Sequence, residues 1–359
     1  MQFSLVDLSS LRLPSDGPLL RHGAPDLSGF ETQWEFDFRT LIYDAFSRGD
    51  QIVLVCPRLR NLWPVLRDGL MRNEPKITIR RLVRHRFETV IIDTKIPGRL
   101  VFAHNNRDQV IEVGSDLNHD FENLRCLVTM VKNEPISWIK DWVQWHVEVH
   151  GSEALVLFDN NSKALDVKLL AKELSFVEGL KKATLVRAPF PYGAPSGGRF
   201  KPPAMFLQVA MLNLARWRMF SRARSVLSVD VDELVQPLSG SSIHIKAEES
   251  HIGLVSFAGK WVFSTKTSGA TSHREHTHSF QTGGVSKNPK WCIVPASISN
   301  RFPWAVHRPG GPLSLFSNTF AEYWHFRSVS TGWNRSVNQV PTGLQEDREL
   351  ISAVSSVLA

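Results

Sequence analysis

The spacing of apolar residues changes near Leu124. From Leu124 to Val131 the chain is almost continuously apolar, which predicts a strand buried on both faces. Pro135 then marks a helix start, and Ile136, Ile139, Val143, His146, Val147 and His150 recur at helical spacing until Gly151 stops the helix. Residues 154–158 read as a second buried strand, closed by Asp159-Asn160-Asn161-Ser162. A helix at 164–174, a strand at 183–187, a Pro/Gly-rich loop at 189–203, a helix at 204–220 and a strand at 225–229 follow. Strand and helix thus alternate four times in about a hundred residues, which predicts an α/β fold: a mostly parallel sheet with flanking helices. Ligands bind beyond the carboxyl ends of such strands, so chemistry is expected just after each one.

The first part of the chain is patterned differently. Residues 1–30 are rich in Pro, Gly, Ser and Leu and read as an irregular lead-in. Short strands are predicted at 51–56, 76–80, 89–93, 100–103 and 109–113, with helices at 36–47 and 62–70. The expected organisation is a small N-terminal α+β module over 1–120, whose role the sequence does not reveal, the α/β domain over 121–340, and a tail or helix over 341–359.

Composition narrows the class. With 359 residues, 42% hydrophobic and 21% charged, the chain is an ordinary globular protein, neither fibrous nor disordered. A net charge of +7 suits phosphate-bearing ligands, anionic membrane surfaces or nucleic acid without choosing among them. The densest basic run is Arg80, Arg81, Arg84, His85 and Arg86; no nucleic-acid-reading motif accompanies it, so no nucleic-acid partner is expected. The run reads first as a solvated strand edge and second as a patch for anionic lipid or a polyanionic acceptor. The three cysteines, Cys56, Cys126 and Cys292, are far apart and point to buried thiols in a reducing compartment. No basic segment followed by an apolar one opens the chain, and no apolar run reaches membrane-spanning length. A cytoplasmic location is expected, with a peripheral contact at the inner face of a membrane as its extension. The 11 Trp residues suit either a packed core or stacking on sugar rings.

The sharpest chemical feature is Asp230-Val231-Asp232-Glu233, which follows the fourth strand. In an extended segment Asp230 and Asp232 would face one cleft, where their repulsion calls for a hard cation such as Mg²⁺ or Mn²⁺, which shares itself readily with a diphosphate. Asn133 and Glu134, after the first strand, and Asp159, after the second, are placed either to dock a nucleoside or to cap helices and turns.

Asn133-Glu134, then Trp138, Trp142, His146 and Gly151, resembles the opening of many glycosyltransferases. Phe158 to Ser162 is similar to their second-strand turn, and Ser228 to Leu234 to their Asp-X-Asp-Glu-Phe motif, with Leu234 replacing the aromatic residue. Lys290 to Pro295, His307 and His325-Phe326-Arg327 resemble their closing pattern. The ordered set is similar to the glycosyltransferase family 92 and family 2-like group and runs from Leu124 to Arg335, leaving 1–120 outside. The resemblance implies a GT-A fold, a nucleotide-diphosphate sugar donor, Asp230 and Asp232 at the metal and diphosphate, and Asn133, Glu134 and Asp159 near the nucleoside. It also implies His325 as a late metal or phosphate contact, with His307 as runner-up.

Inversion at the sugar carbon would require a general base. Glu322, beside His325 in sequence, ranks ahead of Glu275 for that role. Arg187 and Lys201 are candidates for donor or anionic-acceptor contacts, and His273, His276 and His278 read as a polar loop rather than a zinc site. The acceptor is expected to be a carbohydrate or a lipid-linked sugar, in surface polysaccharide or glycoconjugate synthesis. Two other classes compete: a non-catalytic carbohydrate- or polyanion-binding protein, and a nucleotidyltransferase. The second lacks its Gly-rich first turn here, since Lys132-Asn133-Glu134 contains no glycine.

Overall fold

The computed structural model describes residues 1–15, 17–21, 36–94, 98–193, 206–238, 240–266, 271–281, 284–307, 309, 311–316, 320–327, 329 and 341–358. Lys201 and most of the Pro/Gly-rich loop lie outside the described residues. The chain divides into two compact units, one of Met1–Val6, Phe121–Val186 and Phe220–Ala359, the other of Asp7–Asp120 and Arg187–Met219.

The first unit is built on an 11-stranded sheet. Its strands are β1 (Gln2–Asp7), β2 (Arg125–Val131), β3 (Ala154–Asp159), β4 (Lys182–Arg187), β5 (Ser225–Ser228), β6 (Glu233–Pro237), β7 (Leu254–Phe263), β8 (His278–Phe280), β9 (Val285–Ile293), β10 (Ala321–Phe326) and β11 (Leu344–Glu346). They run in the order β1-β4-β3-β2-β5-β9-β7-β8-β11, and β10 joins β6 to β7. β2 pairs in parallel with both β3 and β5, which forms the parallel core expected from the buried apolar runs. Beyond β5 the pairing turns antiparallel, through β9 and β7. The chain leaves β2 toward β3 on one side and returns to β5 on the other, so strand order reverses at the β2/β5 boundary. Crevices at such reversals are where α/β sheets bind ligands.

Helix α1 (Ile136–His150) starts after Pro135, whose extended backbone sets it off from the helix. It ends at Gly151, whose left-handed φ of 68° lets its N–H reach the Val147 carbonyl at 2.9 Å. Its buried face carries Trp138, Ile139, Trp142, Val143, Trp145, His146 and His150. Helix α2 (Val167–Ser175) is capped by Asp166, which accepts from the N–H groups of Lys168 (2.9 Å) and Leu169 (3.0 Å). Helices α3 (Ile243–Glu249) and α4 (Arg348–Val357) complete the unit, the latter within the expected tail. A single apolar cluster joins α1 to the strands, from Leu127, Leu155 and Leu227 to Trp324 and Phe326.

The second unit holds a four-stranded antiparallel sheet, Asp44–Arg48, Gln51–Pro57, Phe87–Asp93 and Thr78–Val83 in that order. The helix expected at 36–47 is not formed. Strands Thr40–Ile42 and Asp44–Arg48 occupy that stretch, and every side chain from Thr40 to Phe46 is buried. The apolar spacing of Phe38, Leu41 and Ala45 mimicked one helix face, but burial on all sides is a strand pattern. Asp44 pairs across the hairpin with Val55. The helix Phe206–Arg218, expected beside the parallel sheet, belongs to this unit and packs on strands Gln51–Pro57 and Phe87–Asp93. Within the basic run, Arg81 is not simply solvated: it bonds the fully buried Glu88 at 2.7 and 3.0 Å and lies over Trp63.

Candidate functional site

β5 ends at Ser228, and residues 230–233 fold into a turn closed by the Glu233 N–H on the Asp230 carbonyl at 3.0 Å. The segment is therefore not extended, and strand alternation does not govern it. Asp230 turns to the Lys290 ammonium. Asp232 turns to His325, whose Nε2 is 3.1 Å from its Oδ2. Glu233 folds back beneath the turn, where its Oε2 accepts the Asp230 N–H at 2.8 Å and meets Lys290 Nζ at 2.8 Å. Oε1 stays outside both bonds.

Register explains why these groups meet. β9 runs antiparallel beside β5 with Trp291 opposite Ser228, so Lys290 lies next to the start of the turn. Glu233 and His325 are direct cross-strand partners in β6 and β10, which puts their side chains on one face. The His325 ring stacks on Trp261, also its register partner, with centroids 3.7 Å apart and planes at 16°. Asp232, Glu233 and His325 present ligand atoms that all lie within 4.8 Å of one another.

The charges in this group control one another. Burial raises the Glu233 carboxyl to about 7, Asp230 and Asp232 add to the rise, and Lys290 opposes it. Burial also disfavours the charged Lys290, but Asp230 and Glu233 overcome it and hold the ammonium firmly protonated. Burial pushes Asp232 up, and the nearby His325 outweighs it, so its carboxyl ends below the usual range. His325 is raised because Asp232 outweighs burial.

A ring of neutral imidazoles fixes the turn and its strand. His273, fully buried, bonds through Nε2 to the carbonyl of Val231, the residue between the two aspartates, at 2.8 Å. His276 bonds the Arg327 carbonyl at 2.7 Å, just after β10. These two are backbone clamps, not a solvated loop. β6 pairs on one side with β10, and on the other α1 substitutes for a strand. Trp145 Nε1 donates to the Val235 carbonyl at 2.7 Å, His150 Nε2 bonds the same oxygen at 2.9 Å, and the Val235 N–H donates to His146 Nε2 at 3.4 Å.

The remaining candidates have other surroundings. Asn133, with a left-handed φ of 61°, accepts the Lys163 N–H at 2.8 Å and donates its own N–H to Ser162 Oγ at 2.7 Å. It ties the turns after β2 and β3 together. Asp159 accepts the Ser162 N–H at 3.1 Å, and Glu134 is half-buried. Arg187 lies 3.3 Å from the Asp7 carboxylate. Glu322 is three residues from His325 on one strand, so alternation sends it to the opposite face, 3.3 Å from Lys260. Glu275 accepts the Ser272 N–H at 2.7 Å in a capping box and pairs with Lys266. Neither glutamate joins the acidic group. His307 is half-buried after the short helix Ile298–Arg301.

Glu233 and Lys290 were not among the expected site residues. A lysine opening the apolar run Trp291-Cys292-Ile293-Val294 is itself a signal, because a lysine buried among such neighbours must be paired.

No protein-family description matches the chain, and no curated protein matches it in sequence. Among solved structures, it is similar to that of S. aureus TarS 1-349 at 13% identity, over 57% of this chain and 60% of that one, with a TM-score of 0.30. It is similar to the galactosyltransferase LgtC in complex with donor and acceptor sugar analogs at 11% identity, over 66% and 97%, with a TM-score of 0.29. The WbbM bifunctional glycosyltransferase matches at 13% identity over 43% of this chain and 27% of that one, with a TM-score of 0.26. Likenesses of this size leave the chemistry of the site to its own residues.

Proposed function

We propose that this protein is a metal-dependent glycosyltransferase that moves a sugar from a nucleotide-diphosphate donor to a hydroxyl acceptor. The charge balance of the group after β5 carries the reading. Asp230, Asp232 and Glu233 gather three carboxyl groups around the single Lys290 ammonium, with His325 beside Asp232, so acidic groups outnumber the lysine that balances them. Two carboxylates and an imidazole suit a hard to borderline divalent cation, Mn²⁺ or Mg²⁺, at the topological switch point of the sheet. Such a cation, when bound, neutralises charge developing on a diphosphate leaving group.

The chain's own groups prepare that site. Lys290 pairs with Asp230 and opposes protonation of Glu233. His325 must give up its proton to become a ligand, so cation binding releases protons. Asp232, Glu233 and His325 are the proposed ligands, and Asp230, fixed by Lys290, faces the diphosphate. Asn133, Glu134 and Asp159, on turns at the carboxyl ends of β2 and β3, are the proposed nucleoside contacts. The acceptor is a carbohydrate or lipid-linked sugar, in polysaccharide or glycoconjugate synthesis on the cytoplasmic side of a membrane. Among the described residues no helix is long and apolar enough to cross one.

A panel of UDP- and GDP-sugars tests this. The wild type releases nucleoside diphosphate only with Mn²⁺ or Mg²⁺, and Asp232→Asn lowers the release roughly a hundredfold or more, since the cation's contribution is several kcal/mol. Turnover that persists in EDTA, or in Asp232→Asn, would sink the assignment.

A further inference from the structure

Metal-binding histidines are ordinarily oriented by a hydrogen bond from the ring nitrogen that does not meet the metal. His325 lacks that support. Its Nε2 is 3.1 Å from Asp232 Oδ2, while Nδ1 is buried and has no hydrogen-bond partner among the described residues. The contact with Asp232 selects which edge of the imidazole faces the carboxyl groups. It leaves the tilt of the ring loosely set, because the second side-chain torsion of histidine has broad minima. Stacking supplies what is missing. The Trp261 indole lies against the imidazole with centroids 3.7 Å apart and planes at 16°. A large rotation about that torsion would drive one ring into the other.

The indole is itself held in place. Trp261 and His325 are register partners on the parallel strands β7 and β10, which puts both rings on one face of the sheet. Two residues earlier in each strand, Tyr323 lies over Gly259, where a Cβ would stand 2.4 Å from the phenol ring, so the fit of the two strands depends on a glycine there. The Tyr323 hydroxyl donates to the Asn288 carbonyl at 2.7 Å and ties the pair to β9. On the far side of the stack, the Arg327 N–H donates to the Val262 carbonyl at 3.0 Å, and Arg327 Cζ lies 5.4 Å from the Trp261 ring centroid. Trp261 is therefore a braced platform on a strand, half-buried, with the imidazole laid on it.

We infer that Trp261 is a positioning residue for the proposed cation ligand His325, its stacked indole taking the place of the hydrogen bond that usually orients such a histidine. That role presupposes the reading of Asp232, Glu233 and His325 as ligands. Mn²⁺ binding to the full chain, followed by loss of the free ion's EPR signal, tests it. Trp261→Met keeps flexible bulk but no flat face, and should weaken binding about ten- to a hundredfold, the range for losing an orienting contact behind a ligand. Trp261→Phe restores a flat ring and should bind nearly as the wild type does. In a His325→Ala background, Trp261→Met should cause no further loss, because the indole acts only through the imidazole; a merely structural role would lower affinity in both backgrounds. In the metal-free wild type, the His325 ring protons, identified by their absence in His325→Ala, should resonate upfield in the indole ring current. Wild-type Mn²⁺ binding that Trp261→Met leaves unchanged overturns the inference alone. So does an equal loss in the His325→Ala background, and so do ordinary positions for the ring protons, whichever variants fold. Absence of saturable Mn²⁺ binding by the wild type overturns the metal reading, and the inference with it.

Discussion

Acid should weaken the strand that follows the Asp230–Glu233 turn, and His150 sets the size of the effect. Its ring is fully buried. Nδ1 accepts the Ile243 N–H at 3.2 Å, so the proton sits on Nε2 and is donated to the Val235 carbonyl at 2.9 Å. A second proton would turn Nδ1 into a donor facing another donor. Burial lowers the pKa to about 4, against a partial rise from the Val235 carbonyl. The ordinary value is about 6.5, so the unfolded chain takes up the proton first as pH falls. The stabilisation is therefore complete above pH ~6.5 and is lost between there and pH ~4: about 3 kcal/mol over the whole window and about 2 kcal/mol by pH 5. Burial shifts His146 and His244 in the same direction. Glu233, raised to about 7, and His325, also raised, oppose them by binding protons in the folded state. His150→Gln keeps one donor and one acceptor but cannot titrate, and so isolates the contribution. Urea unfolding near pH 7.5 and near pH 5 should show the variant losing about 2 kcal/mol less than the wild type over that interval. Equal losses would refute the buried neutral imidazole, whatever the variant's stability at either pH.

Lys290→Met strands Asp230 and Glu233 without their cation, which should cost about 3 kcal/mol at pH 8. The raised Glu233 carboxyl protonates as pH falls, so the penalty should be smaller at pH 6, and a penalty equal at both pH values in denaturant titrations would contradict the charge balance. Glu322→Gln removes an ion pair with half-exposed Lys260 on the face away from His325, so stability should change by less than about 1 kcal/mol with donor turnover preserved. A turnover loss above about tenfold, 1.4 kcal/mol or more in the barrier, would restore Glu322 as the base.

Legibility in the sequence followed the range of the interactions. The β2–α1–β3 stretch was legible because local signals agree there: an unbroken apolar run, Pro135 at the helix start, Gly151 at its end. The hairpin at 40–48 was not, because its helix-like spacing is overridden by pairing with strand Gln51–Pro57, which a local pattern cannot show. Within the site, Asp232 and His325 were legible as residue types in order along the chain. Their neighbours were not: alternation applied to an assumed extended segment misdirected Asp230, and sequence adjacency placed Glu322 beside a histidine that points the other way.

The turn also shows why such a site resists reading from its own motif. Asp-X-Asp-Glu fixes residue types, but its geometry is set from elsewhere: by Lys290 on β9, His325 on β10 and His273, whose ring holds the carbonyl between the two aspartates. Glu233 joins the ligand group only because its strand keeps register with His325. That strand has β10 on one side alone, and its other edge is satisfied by Trp145, His146 and His150 of α1. Histidines suit this task because a neutral imidazole offers one donor and one acceptor, which match a backbone N–H and carbonyl without adding charge next to three carboxylates. A lysine or arginine could donate but not accept, and would add a fixed positive charge to a group already carrying Lys290. The histidines that an active-site search would first assign to chemistry are therefore better explained as the uncharged frame around it, with His325 the exception because its Nε2 meets the Asp232 carboxylate.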